Sequence, residues 1–146
     1  MPYPTSSRPA PEERSAGLPW ALILGLGALA LVRPLLSVVG ITEAVGGAVV
    51  QPLATLLVTA VWVGTVVAVR EPRPVLTLAL TGLTCAAASI VLSAVLSPVL
   101  SGELQGPLAN PIALVPIAAV NALWGLVAGL LALALGAAVG SRHRGT

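Results

Sequence analysis

Residues 112–139 read IALVPIAAVNALWGLVAGLLALALGAAV, 28 consecutive positions without a charge. A bilayer core of ~30 Å is crossed by about 20 helical residues. The run is therefore long enough to span a membrane with tilt or overhang. Within it the residue types separate at helical spacing. Asn121, Gly125, Gly129, Ala132, Gly136 and Gly140 fall on one stripe, while Leu123, Leu126, Leu130 and Leu133 fall on another. In lipid the small stripe is expected to face protein, because small residues let backbones approach closely and gain dispersion contacts. The leucine stripe is expected to face acyl chains. Gly125 and Gly129 also make a G-x-x-x-G, read here as helix packing within the chain before dimerisation.

Working outward, three more segments of the same kind precede this run. The spans expected from hydropathy are residues 18–36, 48–69, 75–96 and 112–139. Each opens or ends on a helix-breaking signal. Pro19 suits the first turn of a helix, where its missing N–H is not needed. The first connection, residues 37–47, carries Gly40, Gly46, Gly47 and one charge, Glu43. The second is Arg70-Glu71-Pro72-Arg73-Pro74, whose two prolines stop one helix from running through. So short a link is expected to make the second and third spans antiparallel neighbours. The third connection, 97–111, holds Glu103 and is read as a true loop of about 15 residues, at the upper end of usual loop lengths. Pro116 is expected to kink the first turns of the last span. Residues 1–17, rich in Pro, Ser and charge, cannot bury apolar surface and are expected to be a disordered tail. Residues 141–146 form a short basic tail.

Composition agrees. Of 146 residues, 57% are hydrophobic and 8% charged, with mean hydropathy +1.01. A soluble domain carries roughly 25% charged residues, so this chain could not cover a water-facing surface. The expected fold class is all-α: an integral membrane four-helix bundle, up-down-up-down, occupying residues 18–140. An even number of spans puts both tails on one side, together with Arg8, Arg14, Arg70, Arg73, Arg142 and Arg144. The other side carries Arg33, Glu43 and Glu103. Six arginines against one is a positive-inside bias, so both termini and the REPRP link are expected to be cytoplasmic. The scarcity of Lys, Phe and Asn beside abundant Ala, Val, Leu, Gly and Pro suits a GC-rich bacterial genome and hence an inner membrane.

Chemistry is sparse. His143 and Cys85 are the only residues of their types and have no companions at ligand spacing, so no metal site is read. With no Asp and the one His in a tail, a Ser-His-Asp triad is ruled out. No glycine-rich loop lies between a strand and a helix, so no phosphate cradle or cofactor is expected. Pairs of arginines make no basic patch for nucleic acid. The expectation is a protein without catalytic activity.

Two polar residues stand out. Arg33 lies ~22 Å along the first helix from Leu18 at 1.5 Å per residue. It either snorkels to headgroups or pairs with Glu43 or Glu103. Asn121 lies ~14 Å into the last span. A buried amide needs partners, and Thr55, Thr59, Thr81, Ser89 or Trp62 could supply them as structural glue; a solute or ion site is the other reading. Thr55 and Thr59 are expected to bond back to their own helix, and Trp62 to find an acceptor inside the bundle. Small stripes are also read in the second span (Ala60, Gly64, Ala68) and the third (Gly82, Ala86, Ser89, Ser93, Ser97).

The segments RPLLSVVG (33–40), PLATLLVTAVWVGTVV (52–67), RPVLTLALTGL (73–83) and NALWGLVAGLLAL (121–133) resemble a group of small uncharacterised bacterial four-span membrane proteins. That resemblance implies an inner-membrane location. Small multidrug transporters share the span number and length, but their first span holds a membrane-embedded glutamate, and no span here contains an acid. The leading expectation is a membrane protein acting by helix packing, as an accessory or partner subunit or a homo-oligomer. Its partners would be the bilayer and another membrane protein or itself. The alternative is a small-solute or ion transporter or channel, with its pathway at the bundle or oligomer interface.

Overall fold

The computed structural model describes residues 18–32, 35, 47–103 and 107–142. Among these every regular element is helical: α1 (Trp20–Leu29), α2 (Gly47–Ala68), α3 (Pro74–Ser101), a 3-10 turn (Pro111–Ala113) and α4 (Leu114–Arg142). At 1.5 Å per residue α2, α3 and α4 are ~33, ~42 and ~44 Å long. All three are long and apolar enough to cross a membrane. Their surfaces are apolar too: Val49 of α2 is 69% exposed, Val99 of α3 80% and Val115 of α4 74%. Soluble monomers rarely present contiguous apolar patches beyond a few hundred Å². The described part of the first expected span is shorter. α1 has ten residues, ~15 Å, followed by a turn at Ala30 and Leu31. Arg33 and Glu43 lie outside the described residues, as do residues 1–17 and 143–146; Ser141 and Arg142, expected in the tail, instead close α4.

The ends of the helices differ from the expected ones in instructive ways. α2 is closed before either proline is reached. Arg70 N–H donates to the Val67 carbonyl and Glu71 N–H to the Val66 carbonyl, both at 3.1 Å. That pair of bonds is the Schellman motif, with Arg70 in the left-handed conformation that glycine usually takes; its φ is +53°. α3 runs on past the expected boundary to Ser101, carrying Pro98 inside it. It ends at Gly102, φ +72°, whose N–H donates to the Pro98 carbonyl at 3.0 Å. The loop expected at 97–111 is therefore shorter at its start. Pro116 falls in the first turn of α4. Its missing N–H costs no bond within α4 there.

α3 and α4 form the dominant pair. A Cβ placed on Gly82 would overlap the backbone carbonyl of Asn121; one on Gly125 would overlap the Leu78 carbonyl; one on Gly129 would overlap Val75 Cα. Contacts advance along α3 as they retreat along α4, so the two helices are antiparallel and touch backbone to backbone. Small residues are what permits this, and close approach is the main source of helix association when lipid is as apolar as the side chains. α1 lies against α3, with Gly27 facing Thr84. α2 lies against α4 and makes only sparse contact with α3. The short link thus joins α2 and α3 in sequence with only sparse contact between them, whereas the matched small faces of α3 and α4 bring those two helices together. The core gathers Leu26 and Ala30 of α1, Trp62, Val63 and Val66 of α2, Leu78 of α3, and Ala128 and Ala132 of α4.

Candidate functional site

Polar groups inside this apolar body are few and mostly satisfied locally. The hydroxyl of Thr55 donates to the Gln51 carbonyl at 2.8 Å, that of Thr59 to the Thr55 carbonyl at 2.7 Å, and that of Thr81 to the Thr77 carbonyl at 2.8 Å. A helix always holds the i−4 carbonyl within reach of such side chains, so no neighbour is needed. Fully buried Thr77 instead donates to a Glu71 carboxylate oxygen at 3.3 Å, tying the REPRP link to the first turn of α3.

Two tryptophans bond between helices. Trp62, 3% exposed, donates its indole N–H to the Leu26 carbonyl at 2.9 Å. That carbonyl lies in the last turn of α1, where i+4 donors run out; the Ala30 N–H reaches it only at 3.4 Å. One side chain of α2 therefore caps the short helix α1. Trp124 donates to the Thr59 hydroxyl oxygen at 3.0 Å, joining α4 to α2. Trp124 was not singled out by its sequence position, although the rule that a tryptophan N–H in apolar surroundings seeks an acceptor applies to it as it does to Trp62.

Asn121 sits at the meeting point of these groups. A groove of about 260 Å³ is lined by Asn121, Trp124, Thr55, Thr59, Trp62 and Cys85 among others. The half-buried Asn121 amide donates at 2.9 Å to Ile117, its own i−4 carbonyl, so the expected bond across to another helix is not formed. The reason is geometric. Gly82 presses on the backbone of Asn121, and the side chain lies beside that contact, lining the groove.

The other sequence candidates spread out. Gly125 and Gly129 are buried at the α3–α4 contact, and Ser89 and Ser93 are half-buried on α3. Ala60 and Gly64 are exposed, and nothing lies within 4 Å of a Cβ built on Gly64. The side of α2 that packs carries Trp62, Val63 and Val66. Glu103 is exposed just beyond α3. Gly136 and Gly140, the far part of the α4 stripe, are exposed with no neighbour.

Comparison with protein-family models, curated proteins and solved structures finds no match.

Proposed function

We propose that the chain is a multi-pass bacterial inner-membrane protein, four helices arranged up-down-up-down with both termini cytoplasmic. It acts without catalysis, as a packing subunit for another membrane protein or for its own copies. The observation that supports this most is the outer side of α2. Of the three long helices α2 is the least buried. It leaves Ala60, Gly64 and Ala68 exposed at four-residue steps. Small residues facing lipid contribute little, whereas the same residues facing another helix permit close approach.

The test is substitution of this face. Gly64→Leu has open space around it and should leave the folded chain intact. It should abolish higher-mass species on native gels of mild-detergent extracts, or the co-purified partner. Leu57→Ala, an exposed leucine nearby, should change neither. Assembly that survives Gly64→Leu unchanged would contradict the proposal.

A second reading draws on the groove at Asn121, where a few polar groups interrupt an apolar lining. Its hydroxyl, amide and indole lining suits a small neutral polar solute moving along the bundle. Proteoliposomes should then admit glycerol or urea faster than empty vesicles, and Asn121→Leu should remove the difference. Equal permeability of loaded and empty vesicles would rule this out.

A further inference from the structure

The REPRP link and the C-terminal end of α4 meet at one end of the molecule around an open groove of about 590 Å³, lined by Val66, Arg70, Pro74, Ala132, Gly136 and Gly140 among others. Ligand pockets commonly hold about 300–1,000 Å³. Gly136 and Gly140 leave it open, since a Cβ built on either would meet nothing within 4 Å. Its wall is apolar along α4, and its mouth carries Arg70 beside Glu71.

Arg70 is the unexpected residue there. It occupies the left-handed position that closes α2, φ +53°, where glycine or asparagine is the less strained choice. A non-glycine residue held in this region is strained, and such strain concentrates at functional positions. Glu71, which also lines the groove, accepts the Thr77 hydroxyl and so is engaged at the start of α3. The positive end of the α3 dipole opens at the same place, with Pro74 as the first helical residue. An arginine, a helix start and an adjoining apolar channel match one kind of occupant: a phosphate headgroup with an acyl chain attached. Basic pockets between spans on the cytoplasmic side take anionic lipids in this way.

We propose that the groove between α2 and α4 is a binding site for one anionic phospholipid, its phosphate at Arg70 and an acyl chain along Ala132, Gly136 and Gly140. This rests on the membrane reading above and names a lipid ligand that it does not.

Native mass spectrometry of the full chain in maltoside detergent tests it, with phosphatidylglycerol or phosphatidylcholine of identical chains added. The wild type should retain one phosphatidylglycerol with about five-fold preference, the size of one arginine's attraction for an anionic surface. Arg70→Asn suits the left-handed backbone and should bring the ratio to about one, while Arg70→Lys should keep a preference. Gly136→Leu should lower retention of both lipids, and millimolar glycerol phosphate should not compete. No preference in the wild type, or a preference unchanged in Arg70→Asn, would overturn the site. So would competition by free glycerol phosphate, or a dimer that dissociates in Gly136→Leu, which would give the groove to a second copy. Carbonate extraction of cell membranes separates the two failures. A chain released into the aqueous phase sinks the membrane reading itself, whereas a chain that stays in the membrane without lipid preference sinks only the site.

Discussion

Single residues decide where the backbones meet. Gly82, Gly125 and Gly129 hold α3 and α4 at a distance at which a methyl group would strike backbone, and backbone cannot swing aside as a flexible side chain can. Overpacking of a filled interior costs about 1–3 kcal/mol, and more where nothing can move. Gly125→Leu should therefore lower the unfolding temperature of the detergent-solubilised protein markedly. Gly136→Leu, about three turns closer to the open end, should change it little. Similar losses from both would mean that the close contact at Gly125 is not what holds the pair. The α4 stripe was legible in the sequence as small residues at helical spacing, but not where it stops being used. From Gly125 to Ala132 it is buried, and beyond that Gly136 and Gly140 have no neighbour. A periodic pattern marks a face and says nothing of how far the facing helix follows it. Asn121 shows the same limit: the sequence marked it as a polar group needing partners, and its own helix supplies one.

At the scale of elements, three of the four expected helices were readable from uncharged apolar runs bounded by Gly, Pro and Arg. α2 and α4 start within two residues of the expected positions and α2 ends within one; α3 carries on to Ser101. Proline was over-weighted as punctuation. Pro98, expected in a loop, lies inside α3 as Pro52 lies inside α2, and α2 ends through the bonds of Arg70 and Glu71, not through Pro72. Arginine in a glycine position gives no sequence signal for that ending. The pairing of elements was less legible than their existence. A five-residue link suggested that α2 and α3 would be neighbours, yet α3 selects α4 and α1, while α2 reaches the others through Trp62 and Trp124. Side-chain size explains this: glycine and alanine faces bring backbones together, and a face bearing tryptophan holds its neighbour further off. The small stripe of α2 was readable as a stripe, but whether its partner lies in the same chain is not written in its spacing.

On the scale of the whole molecule, one end gathers the REPRP link and the C-terminal part of α4, and the start of α4 and the end of α3 lie at the other. The proposed topology places the first end and both tails in the cytoplasm, in keeping with the distribution of arginines. α1 is the critical helix, because its ten described residues alone do not cross a ~30 Å core. The most direct measurement is therefore labelling of single cysteines by a membrane-impermeant thiol reagent, in right-side-out and inverted vesicles. Cys85→Ala provides a background without cysteine, since Cys85 is the only one. Ser6→Cys, Arg73→Cys and Gly145→Cys should react only in inverted vesicles, and Glu103→Cys only in right-side-out vesicles. Reaction of Ser6→Cys and Gly145→Cys from opposite sides, or of Arg73→Cys and Glu103→Cys from the same side, would contradict a four-span membrane bundle.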